Sequence, residues 1–349
     1  MSFAIQVYSG RLPLQVKLGT LTVSVALAFL TYRFVETPVR RGKYSLQLFG
    51  FLPAAICMLA VISLSIYLND GLSWRYATEQ AFNDVPKTNS FVRIDNDCLK
   101  KYGKVFADGG LPKRDFCLSA NIHAPSPIIL IGDSHASKLY QGFLGLGVKN
   151  IVHLGRGSCA PVSNLEPADP WYRCQPTVNR IIQYSLDSDT PLIVLTGVFE
   201  RYFDGTYGSA KTAQELELDV RRWFELLGSA GKPVLVVFDN PTLPFEPKEC
   251  MRRPINFDQR SDCSFGRAHF DKEAATYKAM FVKAAASFQN VTLLDSSDFF
   301  CDQNRCSAVN ENGLLYTGDN NHLSLRGAMM VDRKIIDLYP RSFAFGPSK

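Results

Sequence analysis

Two long apolar segments occupy the first seventy residues of the chain. The second, from Tyr44 to Leu68, contains no charged residue, and it is long enough to cross a hydrocarbon layer of about 30 Å. The first is uncharged only from Leu18 to Tyr32. It spans a membrane only if it begins near Leu12 and Lys17 extends to the interface; the alternative is a buried or interfacial helix. The pattern predicts two transmembrane helices.

Beyond residue 126, short apolar runs alternate with segments of helical periodicity. Predicted strands are Ile128–Ile131, Asn150–Leu154, Pro191–Thr196, Pro233–Phe238 and Val291–Leu294. Predicted helices include Ala136–Phe143, Thr177–Leu186, Ala213–Leu227, Arg267–Phe288 and Leu325–Tyr339. This alternation predicts an α/β fold with a five-stranded parallel sheet covered on both faces. The stretch Asn69–Ser126 has no such pattern, so we expect it to be a linker or annex.

Basic residues are concentrated between the two apolar segments, at Arg33, Arg40, Arg41 and Lys43. The net charge of +5 is small, and no nucleic-acid-binding motif is visible, so these residues indicate a membrane flank rather than a nucleic-acid surface. The positive-inside rule places this loop in the cytoplasm and everything after Asn69 on the opposite side. The N-terminus lacks the pattern of a cleaved signal peptide.

Nine cysteines test that topology independently. Cys57 lies inside the second apolar segment. The other eight form an even set, which is typical of disulfides in an oxidising compartment. A zinc site is the alternative, but no Cys-x-x-Cys occurs. Local loop closure favours consecutive pairing: Cys98–Cys117, Cys159–Cys174, Cys250–Cys263 and Cys301–Cys306.

The candidate chemistry lies at the two ends of the α/β pattern. Ser134 follows the first predicted strand and enters a helix N-terminus, which favours negative charge beside it. A serine hydroxyl is a poor nucleophile until a base takes its proton. His322 can supply the base, and Asp319, three positions earlier, can orient the imidazole. Each residue has a structural alternative: Ser134 can cap a helix, and His322 can be a solvated loop residue.

Gly132-Asp133-Ser134 and Asp319-x-x-His322 resemble the first and last motifs of the SGNH hydrolase superfamily. The resemblance covers roughly residue 127 to the C-terminus and implies a three-layer α/β/α fold, a catalytic triad of Ser134, Asp319 and His322, and no bound metal or cofactor. It also implies an oxyanion hole containing the Ser134 N–H and a glycine, either Gly157 or, as the alternative, Gly155. The family's third donor is an asparagine, and Phe199 stands in its place.

The segment from Thr31 to Arg41, with the sequence TYRFVETPVRR, resembles the end of the membrane domain of acyltransferase family 3. The catalytic membrane motifs of that family are absent. The chain therefore looks like the C-terminal part, or a truncated version, of an acyltransferase family 3 protein whose membrane domain is fused to an SGNH domain. The expected division is 1–43 for the last membrane helix and cytoplasmic loop, 44–68 for an additional transmembrane helix, 69–126 for a periplasmic linker, and 127–349 for the SGNH domain.

The two resemblances together imply an O-acyltransferase in the bacterial inner membrane with its C-terminal domain in the periplasm. Its substrate would be a surface polysaccharide such as lipopolysaccharide O-antigen. The acyl donor would derive from acetyl-CoA through a membrane acyltransferase domain in cis or in trans. A carbohydrate O-acetyl esterase and a non-catalytic carbohydrate-binding module are the alternatives.

Further polar residues follow the predicted strands. We expect Arg156, Arg201 and Tyr202 to contact sugar or acyl donor. His135 is expected to be structural. Asp239, Asn240 and Asp295 also lie at strand ends; we expect them to be turn residues first, and the alternative is that they line the cleft.

Overall fold

The computed structural model describes residues 13–42, 46–68, 94–106, 114–169, 171–203, 211–250, 260–317 and 319–343. Leu12, Lys43, Tyr44 and residues 69–93 of the predicted linker lie outside the described residues. The chain divides into two units, Met1–Val85 with Lys248–Asp262, and Pro86–Pro247 with Cys263–Lys349.

The described part of the first unit is mainly helical. Its elements are α1 (Leu14–Thr31), a π-helical turn (Tyr32–Glu36), α2 (Thr37–Arg40) and α3 (Leu46–Leu68). Among the described residues, one helix is long and apolar enough to cross a membrane, the continuous segment Leu14–Arg40. The corresponding apolar part of α3, Pro53–Leu68, is shorter. The structure therefore supports one N-terminal apolar helix, and the second span stays a prediction.

The second unit contains a six-stranded mixed sheet and two small antiparallel sheets. The strands are β1 (Asp115–Ser119), β2 (Ile128–Gly132), β3 (Ile151–Arg156), β4 (Ile193–Thr196), β5 (Val234–Val237), β6 (Ser264–Gly266), β7 (Val291–Leu294), β8 (Arg305–Ser307), β9 (Val309–Asn310) and β10 (Gly313–Leu314). The main sheet has the order β1-β3-β2-β4-β5-β7. Strands β3, β2, β4, β5 and β7 are parallel, and β1 runs antiparallel to β3.

The prediction of a five-stranded parallel sheet is therefore wrong in the number of strands and in the direction of one edge strand. All five expected strands are present, and the sixth is β1, which falls inside the predicted linker. Its residues Phe116 and Cys117 are fully buried, and its backbone pairs along the length of β3 from Asp115 to Ser119. Without β1, the edge of β3 would expose unpaired backbone groups.

Helices cover both faces of the sheet. They are α4 (Asn96–Tyr102), α5 (Ser134–Gly145), α6 (Gln175–Asp187), α7 (Glu200–Phe203), α8 (Ala213–Gly228), α9 (Arg267–Ala285), α10 (Leu325–Leu338) and α11 (Pro340–Phe343). The chain moves from β2 outward to β3 and then crosses to β4 on the other side of β2. Right-handed crossovers consequently place α5 on one face and α6, α8 and α9 on the other. Helix α10 packs against α5.

Three of the disulfides join loops and elements within the second unit. Cys98–Cys117 connects α4 to β1, Cys159–Cys174 closes the loop after β3, and Cys301–Cys306 closes a short turn. Cys250 and Cys263 are also disulfide-bonded, whereas Cys57 is a free thiol. The structure thus contains the disulfides that the even set of cysteines predicted.

Candidate active site

Ser134 lies at the switch point of the sheet. It is the first residue of α5 and follows β2, whose neighbours β3 and β4 are reached in opposite directions. In open α/β sheets this crevice at the carboxyl ends of the strands is where ligands bind. Gly132 permits the required close approach, because a Cβ there would lie 1.8 Å from the Thr196 carbonyl oxygen.

Asp133 fixes the loop that carries Ser134. Its side chain is fully buried, and it caps α5 by accepting a hydrogen bond from the His135 N–H at 2.9 Å. Its second oxygen accepts the Val198 N–H at 3.0 Å. One carboxyl group therefore ties the ends of β2 and β4 together and holds Ser134 at the helix N-terminus.

The structure brings Ser134, His322 and Asp319 into one line of contacts. His322 Nε2 lies 2.7 Å from Ser134 Oγ, across a sequence separation of 188 residues. His322 Nδ1 lies 2.7 Å from Asp319 Oδ2, and the other Asp319 oxygen accepts the His322 N–H at 2.9 Å. A base in contact with a serine hydroxyl and with an orienting carboxylate has the geometry of an activated nucleophile.

The electrostatics favour a neutral imidazole in contact with Ser134. Burial lowers the pKa of His322, the hydrogen bond with Asp319 opposes that shift, and His135 nearby lowers the pKa again, so the net direction is downward. Burial acts to raise the pKa of Asp319, but the hydrogen bonds from His322 outweigh it and hold that pKa well below its usual range. At neutral pH, His322 can accept a proton while Asp319 is ionised.

Residues that follow β5 hold the loop of Asp319 and His322. The Asn240 side-chain amide donates to the Asn321 carbonyl at 2.9 Å. The Asn320 amide donates to the Leu243 carbonyl at 2.8 Å, and the Leu243 N–H returns a bond to the Asn320 carbonyl at 2.8 Å. These contacts fix the backbone on which His322 stands.

Of the expected oxyanion donors, the Ser134 N–H is available to an oxyanion and the Gly157 N–H is not. The Ser134 N–H is at the first position of α5, where a helix offers no intrahelical acceptor, so it can donate to a developing oxyanion. The Gly157 N–H donates to the Arg114 carbonyl at 2.8 Å, so the expectation that it serves the oxyanion hole is wrong. Gly155 lies within β3, where a Cβ would lie 1.7 Å from the Gly132 carbonyl oxygen; its small size serves strand packing. Phe199 is fully buried.

Two of the three expected substrate contacts are structural. Arg156 is buried, its Nε lies 2.5 Å from Asp115 Oδ1, and it joins β3 to β1. Tyr202 is buried, and its hydroxyl donates to the Ser158 carbonyl at 2.8 Å. Both expectations are corrected, because neither side chain faces solvent. Arg201 is half-buried, and its role in substrate contact stays a prediction.

Two further polar residues lie beside the site, and their contact was not expected from the sequence. His135 and Asp239 are buried, and His135 Nδ1 lies 2.7 Å from Asp239 Oδ1. His135 was expected only to be structural, but its ring centroid is 4.9 Å from that of His322. The signal available in the sequence was the position of Asp239 directly after β5, at the same edge of the sheet.

Comparison with known proteins agrees with this architecture. A family model described as "SGNH domain (fused to AT3 domains)" matches residues 97–337. No curated protein matches the chain by sequence.

Several solved structures are similar to the chain. The periplasmic domain of a lipopolysaccharide acetyltransferase from Salmonella ser. Paratyphi A is 16% identical, with 70% of this chain and 97% of that chain covered and a TM-score of 0.45. A putative acylhydrolase from Bacteroides fragilis is 14% identical, with coverage of 72% and 100% and a TM-score of 0.38. An acetylxylan esterase from Geobacillus stearothermophilus is 12% identical, with coverage of 65% and 98% and a TM-score of 0.34.

The family model spans well over half of the sequence, and it includes both Ser134 and His322. The chain therefore belongs to the family of SGNH domains that occur fused to AT3 domains.

Proposed function

We propose that this chain is an O-acyltransferase that passes an acyl group, most simply acetyl, through Ser134 to a hydroxyl of a surface polysaccharide. The observation that carries the proposal is the pair of 2.7 Å contacts that join Ser134 to His322 and His322 to Asp319. Membership of a family fused to AT3 domains supports a membrane acyltransferase domain as the source of the acyl group.

The chemistry follows from the geometry. His322 Nε2 accepts the proton of Ser134 as Oγ attacks the acyl carbonyl, and the Ser134 N–H donates to the oxyanion. The imidazolium then gives this proton to the leaving group, and an acyl-Ser134 ester remains. In the second half, His322 removes the proton of the acceptor hydroxyl as its oxygen attacks the ester. The same proton returns to Ser134 Oγ as the product leaves.

The setting is a membrane-anchored protein whose second unit is exported to the bacterial periplasm. The apolar helix Leu14–Arg40 and the disulfides of the second unit support this location, because disulfides persist in oxidising compartments. The second apolar helix, α3, would be the connection that brings the C-terminal unit across the membrane. The O-antigen of lipopolysaccharide is the acceptor that we propose to test first.

The test uses the full chain, expressed together with a membrane acyltransferase domain in cells that make the polysaccharide. Ser134→Ala should abolish the chain-dependent ester, measured as acetate released by mild base from purified polysaccharide. Ser229→Ala is the matched control, because Ser229 is an exposed serine at the end of α8. Unchanged acetate in Ser134→Ala cells would refute the proposal.

A second measurement separates transfer from hydrolysis. The purified chain is given an activated acetyl ester with and without acceptor oligosaccharide. A transferase yields acetylated oligosaccharide at the expense of free acetate. If only free acetate forms with acceptor present, the chain is an esterase. If Ser134 fails to react with a fluorophosphonate although the protein is folded, the chain is a non-catalytic module.

A further inference from the structure

A second buried histidine–carboxylate pair lies next to Ser134 and His322. His135 follows Ser134 in α5, and Asp239 follows β5. Their side chains are 6% and 1% exposed, with 2.7 Å between His135 Nδ1 and Asp239 Oδ1. Among the described residues, neither Asp239 carboxyl oxygen accepts a well-aligned hydrogen bond, and the ion-pair contact with His135 is the close polar contact of this carboxyl group. An unpaired carboxylate at this depth would be costly, so the contact with His135 is what makes the burial of Asp239 tolerable.

The pair packs against the catalytic histidine. The ring centroids of His135 and His322 are 4.9 Å apart with an interplanar angle of 46°. A charge on His135 therefore acts on His322 over a short path from which water is largely excluded, since the His322 side chain is only 14% exposed. In such surroundings the interaction between two charges is much stronger than in water.

The groups around His135 favour its charged form. Burial lowers the pKa of His135 and Arg201 acts in the same direction, but Asp239 and Asp133 outweigh both and raise it to about 9. Other titratable groups of the same region are Lys138 on α5, Glu200 on α7, Tyr277 on α9 and Asp295 after β7. His135 is thus an imidazolium at neutral pH, and its charge contributes to the lowered pKa of His322.

We propose that the His135–Asp239 pair is a positioning element of the acyl-transfer site, an imidazolium held by Asp239 that keeps the neighbouring His322 neutral and ready to accept a proton. His135 exchanges no proton with substrate. The inference rests on the proposed function, since it assigns the pair a role in setting the protonation state of the base that acts on Ser134. It extends the site from one histidine–carboxylate pair to two, one with a neutral histidine and one with a charged histidine.

The pair restricts the pH range of the reaction in a defined way. While His135 is charged, the pKa of His322 is lowered, so His322 remains neutral at a lower pH than an isolated histidine would. The acidic limit of Ser134 reactivity is then shifted downward. Removing the charge should move this limit upward by roughly two pH units, for two charges about 5 Å apart at an effective dielectric constant near 20.

The experiment measures the rate at which a fluorophosphonate labels Ser134 in the purified full chain from pH 4.5 to pH 9. This probe needs no knowledge of donor or acceptor. The variants are His135→Gln and Asp239→Asn, with Ser134→Ala as the blank. His123→Gln is the matched control, because His123 is an exposed histidine.

Both variants should raise the pH midpoint of labelling, and the double variant should match the single ones because the two residues act as one unit. His123→Gln should leave the midpoint unchanged. Midpoints equal to wild type in folded variants would overturn the inference. Absence of labelling in the wild type would instead overturn the proposed function, so the two failures are distinguishable.

If the variants do not fold, the inference can be tested on the wild-type protein. The chain has only five histidines, so isotope-labelled imidazole signals can be assigned by single substitutions and titrated by NMR. The His135 signal should remain that of an imidazolium to about pH 9, while His322 titrates below the usual value for histidine. A His135 that loses its proton below pH 7 would overturn the inference.

Discussion

Replacement of Arg156 by methionine separates a structural role for this residue from contact with substrate. Its guanidinium makes two contacts with the fully buried Asp115, at 2.5 Å and 3.2 Å, and donates to the Arg173 carbonyl at 2.6 Å. Arg156 and Asp115 are register partners of β3 and β1. In Arg156→Met, the Asp115 carboxylate would remain at the sheet edge without its main cationic partner.

The size of the effect follows from burial. Removing one partner of a buried ion pair costs about 3–5 kcal/mol, because a charge is left in the interior without compensation. For a domain of this size, each kcal/mol of lost stability lowers the melting temperature by about 2–4 °C. We expect the Tm of Arg156→Met to fall by roughly 6–20 °C.

The assay is thermal unfolding of the full chain in detergent, followed by tryptophan fluorescence. Arg222→Met is the matched control, since Arg222 is an exposed residue of α8, and its Tm should change little. The double variant Arg156→Met/Asp115→Leu should recover at least half of the loss, because apolar residues of similar volume often replace a buried pair without cost. Labelling of Ser134 per folded molecule should match wild type.

A different pattern would refute this reasoning. If Arg156→Met melts like Arg222→Met, the buried pair does not hold β1 in place. If stability is unchanged but Ser134 labelling or acyl transfer is lost, Arg156 acts on substrate.

Three other predictions concern the triad, the core and the packing of α5. Asp319→Asn should slow fluorophosphonate labelling of Ser134 by about 10³–10⁴-fold, because His322 loses its orienting carboxylate; an unchanged rate would remove Asp319 from the triad. Burial lowers the pKa of His153 to about 4, so the unfolded chain binds a proton first as pH falls. The contribution of neutral His153 to the free energy of unfolding is fully present above pH 6.5 and should be lost by about pH 4. His153→Leu should therefore flatten the pH dependence of the free energy of unfolding, measured by urea titration. Gly142→Ala should destabilise by about 1–3 kcal/mol, since a Cβ would lie 2.1 Å from Asp332 Oδ2; a wild-type urea midpoint would show that α10 can shift.

The sequence was informative where a pattern is local. Each of the five expected strands is a short apolar run bounded by turn residues, and burial on both faces requires such runs whatever lies beside them. Ser134 and the pair Asp319–His322 were identified from short motifs at the ends of that pattern. Parallel strands place their carboxyl ends at one edge, so motifs far apart in sequence were expected to meet there.

The errors occurred where a residue's role depends on its partner. Arg156 looked like a substrate contact because it follows β3, but its partner Asp115 lies in a strand that the pattern did not reveal. Strand β1 is a short segment with only modest apolar character, and its place is set by pairing with β3 and by the Cys98–Cys117 disulfide. Gly157 had the expected residue type, yet its N–H is used by the Arg114 carbonyl.

The sequence by itself determined the α/β architecture, the even set of cysteines and the residues able to form a serine triad, because these depend on composition and local period. The tertiary structure alone decided which of these groups contact each other. It added the antiparallel edge strand, turned Arg156 and Tyr202 inward, and placed the His135–Asp239 pair against His322. The physical reason is that hydrogen bonds, ion pairs and the pKa of a buried group depend on distances between segments far apart in the chain, and no local pattern encodes those distances.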